Sequence, residues 1–522
     1  MHPVDDLESQ AGAEAPREWQ VRMGVAGSIV MVCAHVIPMQ PATQGRLADG
    51  ITVADFKTSV RTAQGGFFCS VGGKPDRVND HLATLGEPAA RAWRIDVAAA
   101  APAAVGAVLP LFDNREGVPP RLLDVSGCSH LAVRLIGRLG ERRVRIEIVA
   151  RPSADLEAAG ISVAALNAKD LDEQRWSTHV FPLPEHLDRA RAGSIRFTFD
   201  GPGPAWVAME SVQFCGSDGP VAIEPRKARP AADLRQAMWV WHTRQVLADA
   251  RQQDELLAFC GKHGITDLFC QVPYDYADGS IRLDLVGEQR AFNAAAQRAG
   301  IRVHALDGAP EFVLRENHPR LFKLIDALDR LNREGPPEGR YRAVHMDNEP
   351  YILKDWKDPA ARKRVLQQFI ELNRELRRRA NAAGMEYGVD IPFWWDSVDD
   401  SGKPVFVVPT ETGDVPLLEA LFACVQNAGI MSYRERVTGA GGVIACCLNE
   451  FELGARHGVK VFASVELGTG PQVEAGITFG VYPREYLRQQ LETLRAALPY
   501  EEGCAGLAIH AYDFYRAMEE QP

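Results

Sequence analysis

Two stretches of this 522-residue chain bring carboxyl groups to the ends of apolar, strand-like runs. The first is His345-Met-Asp-Asn-Glu-Pro-Tyr351, where an Asp-Asn-Glu run is awkward inside a strand and Pro350 stops any ladder. The second is Phe462-Ala-Ser-Val-Glu-Leu-Gly468, in which Glu466 ends an otherwise apolar run. Two carboxyls facing one another across a cleft suit the protonation of a leaving oxygen and attack on its carbon, with the environment deciding which group does which. The other reading of Glu349 and Glu466 is a pair of structural carboxylates bound to Arg or Lys. His345 alternates with Asp347 and Glu349, so a regular strand puts all three on one face. His345 and Asp347 are therefore expected to support the carboxyl pair from behind. Asp347 also fits an inverting mechanism, which would need a carboxyl separation of about 6.5–9.5 Å.

Aromatic residues gather near the same strand ends: Trp241, Tyr274, Trp394, Trp395, Tyr433 and Tyr512. Sugar rings stack on aromatic faces while their hydroxyls seek polar side chains, so this set suits a carbohydrate cleft. Core packing is the competing account, and it is favoured for Trp239, which lies within a strand. Asp396, directly after the Trp pair, either binds sugar hydroxyls or caps a loop. His242, His304 and His510 also fall near strand ends and are expected to hydrogen-bond substrate or the two carboxyls. A metal-dependent hydrolase is the rival for these histidines. Its spacing is poor, because Trp239-Val-Trp-His242 offers a single His where a metal-binding barrel would offer His-x-His, and no metal or cofactor is expected.

Elements that must position these residues are legible from periodicity. After Asp233, apolar runs alternate with amphipathic helices. The runs are Met238 to Trp241, Asp267 to Val272, Arg302 to Leu306, Ala343 to Met346, Tyr387 to Ile391, Ile430 to Tyr433, Val459 to Val465 and Leu507 to His510. Helices are expected at Leu247 to His263, Gln289 to Arg298, Pro319 to Arg333, Ala360 to Ala383, Leu417 to Ala428, Val443 to His457 and Arg484 to Ala497, with a short last one from Ala517. Gly264, Gly300, Gly384, Gly429 and Gly458 each follow a helix, where a left-handed residue is favoured. Eight strands alternating with helices over about 290 residues is the arithmetic of a (β/α)8 TIM barrel, whose active sites lie at the carboxyl ends of the strands. Upstream, Leu131 to Leu135, Val144 to Ala150, Ser194 to Phe199 and Trp206 to Phe214 alternate apolar with polar residues, as half-buried antiparallel strands do. The expected organisation is a multidomain chain: a signal-like or disordered segment over 1–45, an antiparallel β-sandwich of jelly-roll type over 46–218, a Gly- and Pro-rich linker over 219–233, and the barrel over 234–522.

With this frame in place, Asn348-Glu349-Pro350 on the fourth strand and Glu466-Leu467-Gly468 on the seventh resemble the large clan of (β/α)8 retaining glycoside hydrolases. The resemblance implies Glu349 as acid/base, Asn348 as the ligand of the sugar 2-hydroxyl and Glu466 as nucleophile, with Tyr433 in the place of the clan's nucleophile-orienting Tyr. Two features depart from the clan: Phe269-Cys-Gln-Val-Pro-Tyr-Asp275 lacks its strand-two Arg, and Tyr512-Asp-Phe-Tyr515 stands where its Trp follows strand eight. The later part of the sandwich, including Ala205-Trp-Val-Ala-Met-Glu-Ser-Val-Gln-Phe214, is similar to carbohydrate-binding modules. A sandwich that only packs against the barrel is the equal alternative. The resemblance implies a glycosidase that cleaves a β-linked glycan, with transglycosylation also open because a covalent intermediate can be resolved by a sugar hydroxyl. A non-catalytic carbohydrate-binding or polysaccharide-assembly protein is the second reading, and a metal-dependent barrel hydrolase the third.

Composition narrows the partners. Apolar residues make up 46% of the chain and the net charge is −11, with no basic cluster beyond Arg377, Arg378 and Arg379. Nucleic acid is therefore not expected, and an oligo- or polysaccharide is. No run is long enough to be a transmembrane helix. Val25 to Pro38, preceded by Arg17 and Arg22, resembles a signal peptide, which would make the protein periplasmic or secreted; otherwise it is cytoplasmic. Most of the ten cysteines fall in apolar patterns, so no disulfide framework is expected.

Overall fold

The alternating strands of the amino-terminal half assemble into two antiparallel sheets in the computed structural model. It describes residues 50–520 except 58, 72–73, 116–117, 153–157, 224–226, 231–232, 400, 412, 471–472 and 475. The signal-like Val25 to Pro38 lies outside the described residues. One sheet runs Val78–Leu85, Ala90–Val97, Ala205–Cys215, His130–Arg138, Ser177–Pro182, with Gly50–Asp55 also paired to Ala205–Cys215. The other runs Cys69–Val71, Ala104–Pro110, Ser194–Asp200, Arg143–Val149, Ile161–Leu166. Inward residues such as Trp93, Ile146, Phe197 and Val207 are buried between them, which is the layer logic of a sandwich.

Eight parallel strands then close a barrel in sequence order. They are Arg235–Val240, Asp267–Gln271, Arg302–Asp307, Ala343–Met346, Glu386–Pro392, Asn427–Met431, Lys460–Glu466 and Cys504–His510, called barrel strands one to eight. The strands are buried almost throughout, as parallel strands covered by helices must be, and so read as continuous apolar runs. Hairpins extend the mouth after strand two (Tyr274–Ala277 with Ser280–Leu283) and after strand five (Val407–Thr410 with Gly413–Pro416).

Several boundaries differ from expectation. The first helical stretch is two helices, Thr243–Ala248 and Ala250–His263, because Asp249 is extended and its side chain caps the second. The helix expected to reach Ala428 ends at Phe422, and strand six starts at Asn427, so Tyr433 lies two residues past the strand. Gly429 consequently sits in that strand rather than after a helix, and a Cβ there would lie 2.2 Å from Asp390 Oδ1. Gly264, Gly300, Gly384 and Gly458 do take the left-handed conformation. The helix after strand six is Leu448–His457, preceded by one tight turn over Ala445–Cys447. The last helix begins at Tyr512.

The two domains are tightly joined. Val78–Leu85 is an edge strand of the sandwich, and barrel helix Arg484–Ala497 covers it. Thr493 Oγ1 accepts the Leu82 N–H at 2.9 Å, Gln490 Nε2 donates to the Asp80 carbonyl at 3.1 Å, and Asn79 Nδ2 donates to Gln489 at 2.6 Å. The edge that would otherwise invite pairing is thereby satisfied. Asp80, 4% exposed, accepts from Ser70, from Trp93 Nε1 and from Thr438 Oγ1 of the loop after strand six.

Candidate active site

Strand four stops at Met346, and Asp347, Asn348 and Glu349 occupy the step before the turn that starts at Pro350. The Asp347 N–H donates to the Asp307 carbonyl at 2.9 Å. Asn348 is 2% exposed; its Oδ1 accepts the Ala309 N–H at 3.2 Å, which leaves the buried Nδ2 without a protein partner among the described residues. A buried amide donor with no acceptor is costly unless a ligand supplies one. Glu349 is half-buried and accepts the Tyr351 hydroxyl. Burial pushes its carboxyl up to about 7, against the pull of Tyr351 and His510. Asp347 is pushed well above the usual carboxylate range by burial and by the charges of Glu349 and Asp390.

Strand seven ends at Glu466, which is 2% exposed. Its Oε2 accepts from His510 Nδ1 at 2.8 Å, and the Gly468 N–H donates to its Oε1. Thr478 Oγ1 donates to the Gly468 carbonyl at 2.8 Å and so fixes the turn. A Cβ on Gly468 would stand 2.8 Å from Glu466 Oε1, so the close approach of backbone to carboxylate requires glycine. His510 ends strand eight, and its Nε2 accepts the Trp241 indole N–H at 2.8 Å. Burial disfavours the imidazolium of His510, but the carboxylates of Glu466, Asp390 and Glu349 outweigh it and raise the pKa. Glu349 and Glu466 thus meet around one imidazole. Tyr433, 5% exposed, adjoins the same group: burial and then the charges of Glu466, Asp390, Asp347 and Glu349 keep its phenol protonated.

Beneath the carboxyls lies a buried layer. Asp390 Oδ2 on strand five accepts the Trp239 indole N–H at 3.0 Å. His345 Nε2 lies 2.9 Å from Asp390 Oδ1 without hydrogen-bond alignment, its Nδ1 meets Asn427 Oδ1 at 3.2 Å, and its ring stacks on Phe269 at 4.1 Å. His345 therefore stands behind the site, with Asp390 between it and the mouth.

Four expected cleft residues are placed elsewhere. His304, 1% exposed, is the third residue of its strand and bonds Asp267 at 2.8 Å beside Arg235, near the amino-terminal floor of the barrel. Trp395 is 2% exposed and packs edge-on against Phe369 of helix Pro359–Ala382, because the turn after strand five points successive rings in opposite directions. Tyr512, 3% exposed, opens the last helix and packs on Phe259, away from the mouth. Asp396 accepts from Asn449 and anchors its loop to helix Leu448–His457, with burial raising its carboxyl to about 6. Tyr274 keeps its place near the mouth, but its hydroxyl is committed, donating to Asp307 at 2.7 Å and accepting from Arg320 at 2.8 Å. His242 is half-buried at the start of helix Thr243–Ala248, and Trp394 is half-buried with its ring edge-on to Tyr351 at 5.2 Å.

Sequence reasoning gives no role to Asp390, Tyr351, Gly468 or Phe514. Phe514 is 38% exposed, with its ring 6.3 Å from that of His510 and beside Gly468, and it is the aromatic that faces the mouth where Tyr512 was expected. Asp390 was signalled as a lone acid in an apolar strand. Among the described residues no group of three or more His, Cys, Asp or Glu side chains is arranged to hold a metal ion. A hollow of about 240 Å³ lined by Asn293, Gln297, Arg302, Arg340 and Arg342 lies at the strand starts, at the opposite end from the carboxyls, and is not part of this site.

No family model matches the chain. No curated protein matches it either. Solved structures similar to it include the CBM22-1 and GH10 modules of an endo-1,4-β-D-xylanase of Clostridium thermocellum in complex with xylohexaose, at 11% identity over 89% of this chain and 90% of that one, TM-score 0.33. A xylanase of Cellvibrio japonicus in complex with xylopentaose matches at 11% identity over 91% and 93%, TM-score 0.34. A chitinase from Bacteroides thetaiotaomicron matches at 12% identity over 54% and 90%, TM-score 0.36. At such TM-scores these likenesses carry no argument about what the chain does.

Proposed function

We propose that this protein is a glycoside hydrolase that cleaves a β-linked glycan by retaining double displacement, with Glu349 as acid/base and Glu466 as nucleophile. The observation that carries the reading is the unlike treatment of two carboxyls at one mouth. Burial raises Glu349 to about 7, so near neutral pH it keeps a proton to give to the glycosidic oxygen. Glu466 instead accepts from His510 and from the Gly468 N–H, the partners of a carboxylate that must stay an acceptor. In the first step Glu349 protonates the leaving oxygen while Glu466 attacks the anomeric carbon, which requires the two groups about 5–5.5 Å apart. In the second, Glu349 as carboxylate takes a proton from water, which displaces Glu466. A sugar hydroxyl in place of that water gives transglycosylation. Asn348 Nδ2 is the donor for the sugar 2-hydroxyl, and Trp394, Trp241 and Phe514 offer ring faces.

The test is a panel of aryl glycosides and of β- and α-linked glucans, galactans and mannans, run with the wild type, Glu349→Gln and Glu466→Gln. Sugar release by the wild type alone supports the assignment, and wild-type activity in either variant overturns it. Glycan binding without turnover, unchanged in Glu466→Gln, selects a non-catalytic carbohydrate-binding protein. Asp347 Oδ1, which has no hydrogen-bond partner among the described residues, favours one other mechanism, inversion with Asp347 as base, and NMR of the first-formed anomer separates the two.

A further inference from the structure

Trp241 makes an unusual contact for a residue at a sugar-binding mouth. An indole Nε1–H can only donate, so its 2.8 Å approach to His510 Nε2 requires a lone pair on that nitrogen. The proton of the ring must then sit on Nδ1, where it meets Glu466 Oε2 at 2.8 Å. We infer that Trp241 is a positioning residue, holding His510 as the neutral Nδ1–H tautomer so that Glu466 faces a hydrogen-bond donor and not a cation.

The surroundings make this restraint necessary. The imidazole is faced by Glu466 from strand seven, Asp390 from strand five, Glu349 from beyond strand four and the Tyr433 phenol from beyond strand six. Trp239 flanks it from strand one, Trp241 from just past the end of that strand, and Phe514 from the last helix. Three acidic groups invite a second proton, and the Trp241 N–H is the group that occupies its place on Nε2. An imidazolium would neutralise Glu466 and weaken it as a nucleophile. It would also set a second acid beside Glu349. The mechanistic consequence rests on the reading of Glu466 as nucleophile, whereas the tautomer rests on geometry alone.

Trp241→Phe keeps an aromatic ring and removes the N–H. Nitrogen NMR of the full chain labelled at histidine reads the outcome, with the His510 signals identified by their loss in His510→Gln. The carboxylates raise the pKa of His510 and the Trp241 N–H on Nε2 opposes them, so in the wild type His510 is expected to show one protonated and one bare nitrogen from about pH 7 to 8. In Trp241→Phe it is expected to gain a proton within that range, and kcat/KM is expected to fall about tenfold per pH unit on the acid side. A doubly protonated wild-type His510 at neutral pH overturns the inference, as does an unchanged titration in a folded Trp241→Phe. Should the variant not fold, the wild-type spectrum alone decides. The expected tautomer in a protein that hydrolyses no glycan would refute the glycosidase reading and leave this inference standing.

Discussion

Glu349 should make the protein less stable as pH rises, and its replacement should remove that contribution. In the unfolded chain the carboxyl titrates at the ordinary 4.5, and in the fold at about 7. Between those values the folded state holds a proton that the unfolded state has released, so unfolding free energy falls with rising pH. At 1.36 kcal/mol per pKa unit the loss across the window is about 3 kcal/mol. Asp347, raised partly by the charge of Glu349, adds to the loss with the same sign. Glu349→Gln removes both the titration and the repulsion. The assay is urea denaturation followed by tryptophan fluorescence, wild type against Glu349→Gln, at steps from about pH 4.5 to 8. The wild type should lose about 3 kcal/mol relative to the variant over that range, leaving the variant the more stable above pH 7. The same proton should set the alkaline limb of kcat/KM, with its midpoint near 7. Parallel denaturation curves at every pH would refute the claim that burial holds this proton, and with it the acid role.

Other expectations follow from the same geometry. Gly468→Ala forces a Cβ to 2.8 Å from Glu466 Oε1 and should cut turnover by about a hundredfold with circular dichroism unchanged. Trp394→Ala should weaken polymer binding, whereas Trp395→Phe, at a buried site, should leave it intact in affinity electrophoresis. Asp80→Ala strands donors from Ser70, Trp93 and Thr438, and should cost about 3 kcal/mol in denaturation while lowering kcat through the loop that carries Tyr433.

The barrel strands are readable because a parallel strand covered on both faces is a short apolar run, and the helices between them keep the period of 3.6. The carboxyls are readable because a Pro or a Gly follows them closely and ends the strand. Depth along a strand is not: alternation tells which residues point inward, but not whether they sit at the floor or the mouth. His304 and His510 look alike in sequence, yet one is third in its strand and bonds Asp267, and the other is last and bonds Glu466. Turn geometry was hidden for a related reason. Trp394 and Trp395 are adjacent and chemically identical, and only the turn after strand five decides that one meets Tyr351 and the other Phe369. Partners far apart in the chain, such as Asp80 and Thr438, leave no local pattern at all.

The covered edge strand of the sandwich has a consequence for how the molecule comes apart. Helix Arg484–Ala497 belongs to the barrel, yet its Gln489, Gln490 and Thr493 complete the hydrogen bonding of Val78–Leu85. Neither domain can shed the other without exposing polar groups that have no replacement partner except water. Melting should accordingly be one calorimetric event, and a protease should find no surviving barrel core after the sandwich is cut. The amino-terminal half is in this sense part of the barrel's outer wall, and grafting it onto another protein would transfer a raw edge along with a domain.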